Sequence, residues 1–254
     1  MIVSVIMVGP AGCGKTSLVN SLGRWLEETF GEEPAYVNLD PGVIKLPYKP
    51  SYDVRSIVRV DQLMEEEGLG PNGAMIKAAE MIEEKISEIA DAISSINSPS
   101  GFTLIDTPGQ IELFLFRDMG PRFVEALSRR SRAVAVYVMD PSLASTLSGL
   151  AINISLAAIT RLRLRTPVVS IINKSDLPST SKFEELMRDE DRLIEEITEK
   201  ERGLIADLSI KFIEFVSSLS KAMRIIKVSA LTGEGMMELY NLINDALCEC
   251  GDLT

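Results

Sequence analysis

Residues 9–16, with the sequence GPAGCGKT, have the residue types and the flanks of a phosphate-binding loop. An apolar run precedes them and a segment with helical spacing follows, as the pattern G-x-x-x-x-G-K-[ST] requires. Glycines let backbone N–H groups point at phosphate oxygens, and the helix N-terminus adds a favourable dipole. Lys15 is expected to contact the β- and γ-phosphates of a nucleotide, and the Thr16 hydroxyl to bind Mg²⁺. The nucleotide-binding residues predicted here are Gly12, Cys13, Gly14, Lys15, Thr16 and Ser17.

A second stretch, LIDTPGQIE at 104–112, combines a carboxylate, a glycine and an amide. Asp106 ends an apolar run that reads as a strand, where a carboxylate can hold the water shell of a metal ion. Gly109 can offer its backbone N–H to a γ-phosphate. Gln110 is placed like the glutamine that orients the attacking water in the well-known GTPases. The stretch therefore predicts a metal-supporting residue and a water-orienting residue.

Two further stretches predict recognition of guanine. In IINKSD at 171–176, the Asp176 carboxylate can accept hydrogen bonds from guanine N1–H and N2–H₂, a donor pair that adenine lacks. Asn173 and Lys174 would brace this loop and stack along the base. In VSAL at 228–231, the backbone N–H of Ala230 is expected to meet guanine O6, with Leu231 beside it.

Asp40 ends another apolar run, within VNLDPG at 37–42. Its carboxylate could hold Mg²⁺ through water or help to position the nucleophile. A plain Asp-Pro-Gly turn is the alternative, and the residues alone leave both open.

Gly70, Pro71 and Asn72 follow an acidic helical segment and precede a long apolar-periodic one. Gly and Pro end the first helix, and Asn72 is a good N-cap residue for the second. Taken alone, the tripeptide predicts only a turn, because most such tripeptides are turns.

Strands and helices alternate along the chain. Six apolar runs read as buried strands: 1–9, 35–39, 102–106, 133–139, 167–172 and 224–228. Helical spacing follows the phosphate loop to about Phe30, continues through Ile82, Ile86, Ile89 and Ile93 in one long segment, and recurs from Leu208 and from Leu239. The alternation predicts an α/β fold of the P-loop NTPase kind, with a mainly parallel sheet covered on both faces. Residues 1–254 are expected to form a single domain with a helical insertion at about 41–100.

Composition restricts the chemistry. The net charge of −11 makes the chain a poor non-specific nucleic-acid binder, so a phosphate site must be local. The absence of histidine excludes Ser-His-Asp and Cys-His catalysis and His-ligated metals. The few cysteines and the lack of a long apolar run favour a cytoplasmic protein without a membrane span.

The order of these motifs resembles the GPN-loop GTPases over essentially the whole chain. The distinguishing stretches are VNLDPG, the inserted GPNG at 70–73, and DTPGQIE. The resemblance implies a GTPase that uses Mg²⁺ and produces GDP. It implies a homodimer formed through the GPN-loop region, in which Asn72 reaches the neighbouring subunit's nucleotide. It also makes Glu112 the position of a second water-positioning carboxylate, and gives Lys15, Asp40, Asn72, Gln110 and Glu112 as catalytic residues.

The same resemblance suggests a nucleotide-dependent switch that acts in the assembly of a protein complex, RNA polymerase in eukaryotic relatives. No residue identifies the client protein. The alternatives are a GTP-binding scaffold with negligible turnover, a P-loop nucleotide kinase, and an ATP-driven partitioning protein. Asn-Lys-x-Asp has no purpose in the kinase, and Asp176 argues against ATP.

Three other segments have simpler interpretations. RLRLR at 161–165 is expected to be a helix end, and the charged stretch 180–205 to form solvated helix faces. Cys13 is expected to be a small filler of its loop. CECG at 248–251 supplies too few ligands for a tetrahedral zinc site within one chain.

Overall fold

The computed structural model of the protein describes residues 2–142, 147–180, 194, 195, 198, 199, 202–222 and 224–249. Within these residues, one parallel sheet consists of β1 Val3–Val8, β2 Ala35–Asn38, β3 Tyr52–Asp53, β4 Phe102–Asp106, β5 Arg132–Met139, β6 Val168–Ile172 and β7 Ile225–Lys227. The spatial order is β3-β2-β4-β1-β5-β6-β7. Each pair of neighbouring strands is parallel. The predicted α/β class is confirmed, as are all six predicted strands.

The helices are α1 Lys15–Phe30, α2 Val60–Glu67, α3 Pro71–Glu84, α4 Ile86–Ser94, α5 Met119–Ser128, α6 Leu147–Leu164, α7 Leu204–Ala222 and α8 Met236–Glu249. A 3₁₀ turn covers Val54–Ser56 and a π-helix covers Glu112–Phe116. No helix in the described ranges is long and apolar enough to cross a membrane.

Two apolar cores lie on opposite faces of the sheet. On one face, α1 and α8 contribute Leu18, Leu22, Leu239 and Ile243. On the other, α2 to α6 cover the sheet, with Phe123 among the fully buried side chains. Residues 133–139 of β5 are all buried because both faces of this central strand are covered. This explains why the strands read as continuous apolar runs.

Ion pairs reinforce the contact of α3 with α5 and with the segment just before α5. Arg117 pairs with Glu80 at 3.2 Å, and Arg122 with Glu83 at 2.6 Å. Each exposed pair contributes little by itself, so the apolar contact supplies most of the attachment.

The structure corrects the sequence predictions in three places. The long helix after residue 70 is two helices, because a turn at Lys85 separates α3 from α4. Asn72 is not an N-cap: Gly70 holds that position and Pro71 is the first helical residue, where its fixed φ suits a helix start. The two-residue edge strand β3 was not predicted. Most of the charged stretch 180–205 and Cys250 lie outside the described residues.

Candidate functional site

The phosphate loop lies between β1 and α1, as predicted. Gly12 and Gly14 have φ values of 78° and 92°, a left-handed conformation that favours glycine. A Cβ at Gly14 would lie only 2.4 Å from the Asn173 amide nitrogen, so a larger residue would push the guanine-recognition loop away. Cys13 is fully buried, and burial raises the pKa of its thiol. The thiol is therefore a poor nucleophile near neutral pH, in keeping with a filler role.

The Lys15 side chain is held beneath this loop. It is 5% exposed, and its ammonium donates to the carbonyl oxygens of Gly9 at 2.8 Å and Pro10 at 3.0 Å. None of its hydrogen-bond partners among the described residues is negatively charged, so this buried ammonium can gain strongly from an anion. The contact of Lys15 with nucleotide phosphates stays a prediction.

Asn173 connects three segments of the site. Its amide nitrogen donates to the Cys13 carbonyl at 2.9 Å, and its amide oxygen accepts from the Ala230 N–H at 3.1 Å. The side chain is 1% exposed. One buried amide therefore joins the phosphate loop, the Asn-Lys-Ser-Asp loop and the Ser-Ala-Leu loop.

Lys174 lies beside this amide with a positive φ of 61°. Its ammonium donates to the Gly12 carbonyl at 2.8 Å and to Asp140 at 2.7 Å. Burial alone would raise the pKa of Asp140, but the hydrogen bond from Lys174 lowers it below its ordinary value, so the carboxylate stays ionised. Asp140 directly follows β5, and its bond to Lys174 holds the lysine against the phosphate loop.

Asp176 is also held by a neighbouring loop. Its Oδ1 accepts a hydrogen bond from the Ser229 hydroxyl at 2.5 Å, and that hydroxyl in turn accepts from the Leu231 and Thr232 N–H groups. Next to it, the Ser175 hydroxyl donates to Glu234 at 2.6 Å. These bonds orient the carboxylate while the residue stays exposed.

A cavity of about 440 Å³ opens between these loops. Its lining residues are Gly14, Ser17, Asn20, Pro47, Asn173, Lys174, Asp176, Leu177, Ala230 and Leu231. The wall thus combines apolar side chains with a carboxylate and a lysine. This combination suits a flat heterocycle that carries polar groups along one edge.

The predicted metal-supporting residues meet at the end of β4. Asp106 is 1% exposed; its Oδ2 accepts a hydrogen bond from the Tyr48 hydroxyl at 3.1 Å, and its Oδ1 has no hydrogen-bond partner among the described residues. Burial raises the pKa of Asp106 to about 6, although the nearby Thr16 hydroxyl and Lys15 oppose this. An unsatisfied buried carboxylate oxygen beside a threonine hydroxyl fits a hard cation.

Asp40 lies on the same side, in the turn after β2. Its Oδ1 accepts from the Gly42 N–H at 2.8 Å, so Asp40 does form an Asp-Pro-Gly turn, and a functional role for its carboxylate stays a prediction. Burial raises the pKa of Asp40, whereas the N–H groups of Gly42 and Gly109 and the charge of Lys15 lower it. The described residues contain no cluster of three acidic, cysteine or histidine side chains suited to a metal ion. Any Mg²⁺ here would need oxygens from phosphate and water, as Mg²⁺ commonly does at nucleotide sites.

The stretch after β4 brings one predicted residue against the phosphate loop. A Cβ at Gly109 would lie 3.7 Å from that of Ala11, so the two loops are in contact. Gln110 is half-buried, and its side chain has no hydrogen-bond partner in the described chain. Glu112 begins the π-helix and is exposed, without a hydrogen bond to any of these site residues.

The Gly70-Pro71-Asn72 tip is exposed at the start of α3. The Asn72 amide bonds to none of the described residues, and the first helical hydrogen bond runs from Ala74 to Gly70. One turn further on, Met75 packs against the Asp40 turn: a Cβ at Gly42 would lie 3.2 Å from the Met75 sulfur. The tip therefore begins a helix that packs against the Asp40 turn.

Sequence reasoning missed several residues of the site. These are Asn20, Pro47, Tyr48, Asp140, Leu177, Ser229 and Glu234. Asp140 had a recognisable signal, since it ends an apolar strand just as Asp40 and Asp106 do. The contributions of Tyr48 and Glu234 depend on contacts between loops distant in sequence.

Comparisons with known proteins show what the chain is similar to. A family model described as a conserved hypothetical ATP binding protein matches residues 7–249. The GPN-loop GTPase PAB0955 of Pyrococcus abyssi is 36% identical over 255 residues, which cover 98% of this chain and 99% of that protein. GPN-loop GTPase 1 of Dictyostelium discoideum is 31% identical; its match covers 95% of this chain but 60% of that longer protein.

The fold is similar to that of a solved structure. The crystal structure of PAB0955, described as a GTPase in apo form, matches with a TM-score of 0.84 at 34% identity. The match covers 97% of this chain and 98% of that one.

Proposed function

The chain belongs to the family of GPN-loop GTPases, and we propose from this premise that it binds GTP with Mg²⁺ and hydrolyses it to GDP and phosphate. The observation that carries the proposal is the Asn173 amide, which joins the phosphate loop to both guanine-recognition loops. Around it, Lys15, Asp106 and Asp176 occupy one edge of the sheet. That edge is the carboxyl end of parallel strands, where ligands bind in open α/β folds.

Asp176 supports guanine rather than adenine. The matching family model is described as an ATP binding protein, whereas the similar proteins are named GTPases. The carboxylate lines the cavity and is oriented by Ser229. Guanine offers it two donors, whereas adenine would leave it unpaired.

A competition experiment tests the nucleotide. Unlabelled GTP is expected to displace a fluorescent GDP analogue at least about a hundredfold more effectively than ATP, because guanine offers the Asp176 carboxylate two donors that adenine lacks. In Asp176→Asn, the new amide can donate to the C2 carbonyl of xanthine, so preference should move from GTP to XTP. Equal displacement by GTP and ATP would overturn the guanine assignment.

In the proposed reaction, water attacks the γ-phosphate in line. Lys15 leaves the Gly9 and Pro10 carbonyls for phosphate oxygens and stabilises the charge that develops there. Gln110, whose amide has no described partner, orients the water, with Glu112 assisting it. Thr16, Asp106 and Asp40 would hold Mg²⁺, which neutralises phosphate charge when bound.

We further propose that two copies form a dimer through the GPN-loop region and that Asn72 contacts the neighbour's nucleotide. An exposed amide without a described partner on a firmly packed helix supports this. The N–H groups of Asn72 and Gly73 also lie at a helix N-terminus, where the dipole favours a phosphate. Because an amide carries no charge, its contribution should be smaller than that of an arginine finger.

The switch is proposed to act on a protein client, such as RNA polymerase during assembly. α6 and α7 expose large apolar side chains: Ile152, Leu162, Leu204, Leu208, Phe212 and Phe215. Arg163 of α6 donates to the Leu115 carbonyl in the π-helix at 3.1 Å. This bond connects α6 to the π-helix that begins two residues after Gln110.

A capture experiment tests the client role. Gln110→Ala, loaded with GTP, should retain a defined protein set that the GDP-loaded form releases. Adding Phe212→Asp should abolish capture without changing nucleotide affinity. Capture that is independent of the nucleotide and of Phe212 would contradict the proposal.

A further inference from the structure

Tyr48 lies in the segment between β2 and β3, where the sequence showed no chemical role for it. Its hydroxyl donates to Oδ2 of Asp106 at 3.1 Å, and the side chain is 9% exposed. The bond therefore joins two segments that are distant along the chain. A buried hydroxyl that donates to a carboxylate restrains the orientation of that carboxylate.

The Tyr48 ring is fixed independently of this bond. It stacks on Tyr36 of β2, with ring centroids 5.0 Å apart and planes 15° from parallel. The Tyr36 hydroxyl lies elsewhere, against Gly23 of α1. Removing either hydroxyl should preserve the stacked rings, which makes the two tyrosines a matched pair for substitution.

The consequence for Asp106 follows from its two oxygens. Oδ2 accepts the hydrogen bond from Tyr48, whereas Oδ1 is buried and has no hydrogen-bond partner among the described residues. A carboxylate held by one oxygen cannot rotate freely, so the other oxygen keeps a constant position. Immediately before Tyr48, Pro47 lines the cavity assigned to the base. One short segment thus contacts both the base cavity and the carboxylate of the candidate metal site.

We propose that Tyr48 is a positioning residue for Asp106: it holds Oδ2 and leaves Oδ1 available to the Mg²⁺ that accompanies the nucleotide. The inference rests on the proposed function, because it assigns Asp106 to that ion. Tyr48 touches neither the nucleotide phosphates nor the reacting water in this account. Its effect should therefore appear in the magnesium dependence of nucleotide retention.

The test measures dissociation of a fluorescent GDP analogue from full-length protein as MgCl₂ is varied. In Tyr48→Phe, the half-saturating Mg²⁺ concentration should rise roughly tenfold, the effect of losing a hydrogen bond to a charged group. The dissociation rate in EDTA should stay within about twofold of wild type, since only the metal-supporting group is disturbed. Tyr36→Phe should match wild type in both conditions.

Two results would overturn the inference. One is an unchanged Mg²⁺ midpoint in Tyr48→Phe. The other is equal acceleration of release with and without Mg²⁺, which would show that Tyr48 only shapes the base cavity through Pro47. Measurements on the wild-type protein distinguish failure of this inference from failure of the proposed function. A wild-type protein that retains no GDP analogue, or whose retention does not depend on Mg²⁺, would contradict the site itself.

Discussion

Two asparagines show how differently the base-binding edge and the GPN tip use the same side chain. Asn173 is buried, and both ends of its amide are bonded to backbone groups of other loops. Asn72 is exposed, and its amide bonds to none of the described residues. Asn173 therefore helps to build the site from within one chain, whereas Asn72 is available to a group outside it. Gln110 resembles Asn72 because its side-chain amide also has no hydrogen-bond partner among the described residues, but Gln110 lies beside the phosphate loop.

The largest predicted effect concerns Gln110, whose side-chain amide has no hydrogen-bond partner among the described residues. Gln110→Ala should lower GTP turnover by about a hundredfold or more, because the attacking water loses its orienting group. GTP affinity and the free energy of unfolding should remain close to wild type. Single-turnover kinetics and a fluorescent-nucleotide titration measure both quantities. Unchanged turnover would remove Gln110 from the mechanism.

Unlike Gln110→Ala, Asn173→Ala should lower both the free energy of unfolding and the GTP affinity. It leaves the Cys13 carbonyl and the Ala230 N–H without their partner, so the free energy of unfolding should fall by about 2–3 kcal/mol. GTP affinity should fall by about a hundredfold, because three loops lose their common connection. Urea unfolding and nucleotide titration provide the measurements. A variant with wild-type stability would show that Asn173 is not the structural centre of the edge.

Asp140→Asn is expected to have a smaller effect at the same edge. The amide keeps the size of the side chain but removes the charge that pairs with Lys174. GTP affinity should fall by about tenfold, mainly through faster dissociation, because Lys174 is held less firmly against Gly12. Stopped-flow release of a fluorescent GDP analogue measures this. Release at the wild-type rate would limit Asp140 to a passive role.

Asn72→Ala should change the isolated chain least. The free energy of unfolding should stay within about 0.5 kcal/mol of wild type, since the replaced side chain is exposed and has no hydrogen bond to the described residues. GTP affinity should hardly change, whereas turnover should fall by several-fold if the amide meets a phosphate group. A clear loss of stability would instead place Asn72 among the residues that maintain the fold.

Features that local sequence determines were predicted from the sequence. Strands covered on both faces leave continuous apolar runs, so β1, β4 and β5 were predicted well. Motifs that combine a strand end with a loop, such as residues 9–16 and 171–176, were placed correctly because local sequence determines them.

Features that arise from tertiary contact were missed. Tyr48 and Glu234 act on loops distant in sequence, and β3 is too short to show a pattern. The apolar spacing runs on through Lys85, so it concealed the break between α3 and α4. The N-cap prediction for Asn72 failed because Pro71 suits the first helical position better, which moves the cap to Gly70.

The most direct test of the central claim uses a mixed dimer in which one chain carries Asn72→Ala and the other Gln110→Ala. The two chains are co-expressed with different tags and purified through both. One active site then contains its own Gln110 and, from its neighbour, an intact Asn72. If each homodimer is slow and the mixed dimer recovers up to about half of the wild-type GTP turnover, the GPN tip completes the neighbour's site. Mixed dimers that form but stay slow would contradict this and confine the tip to its own chain.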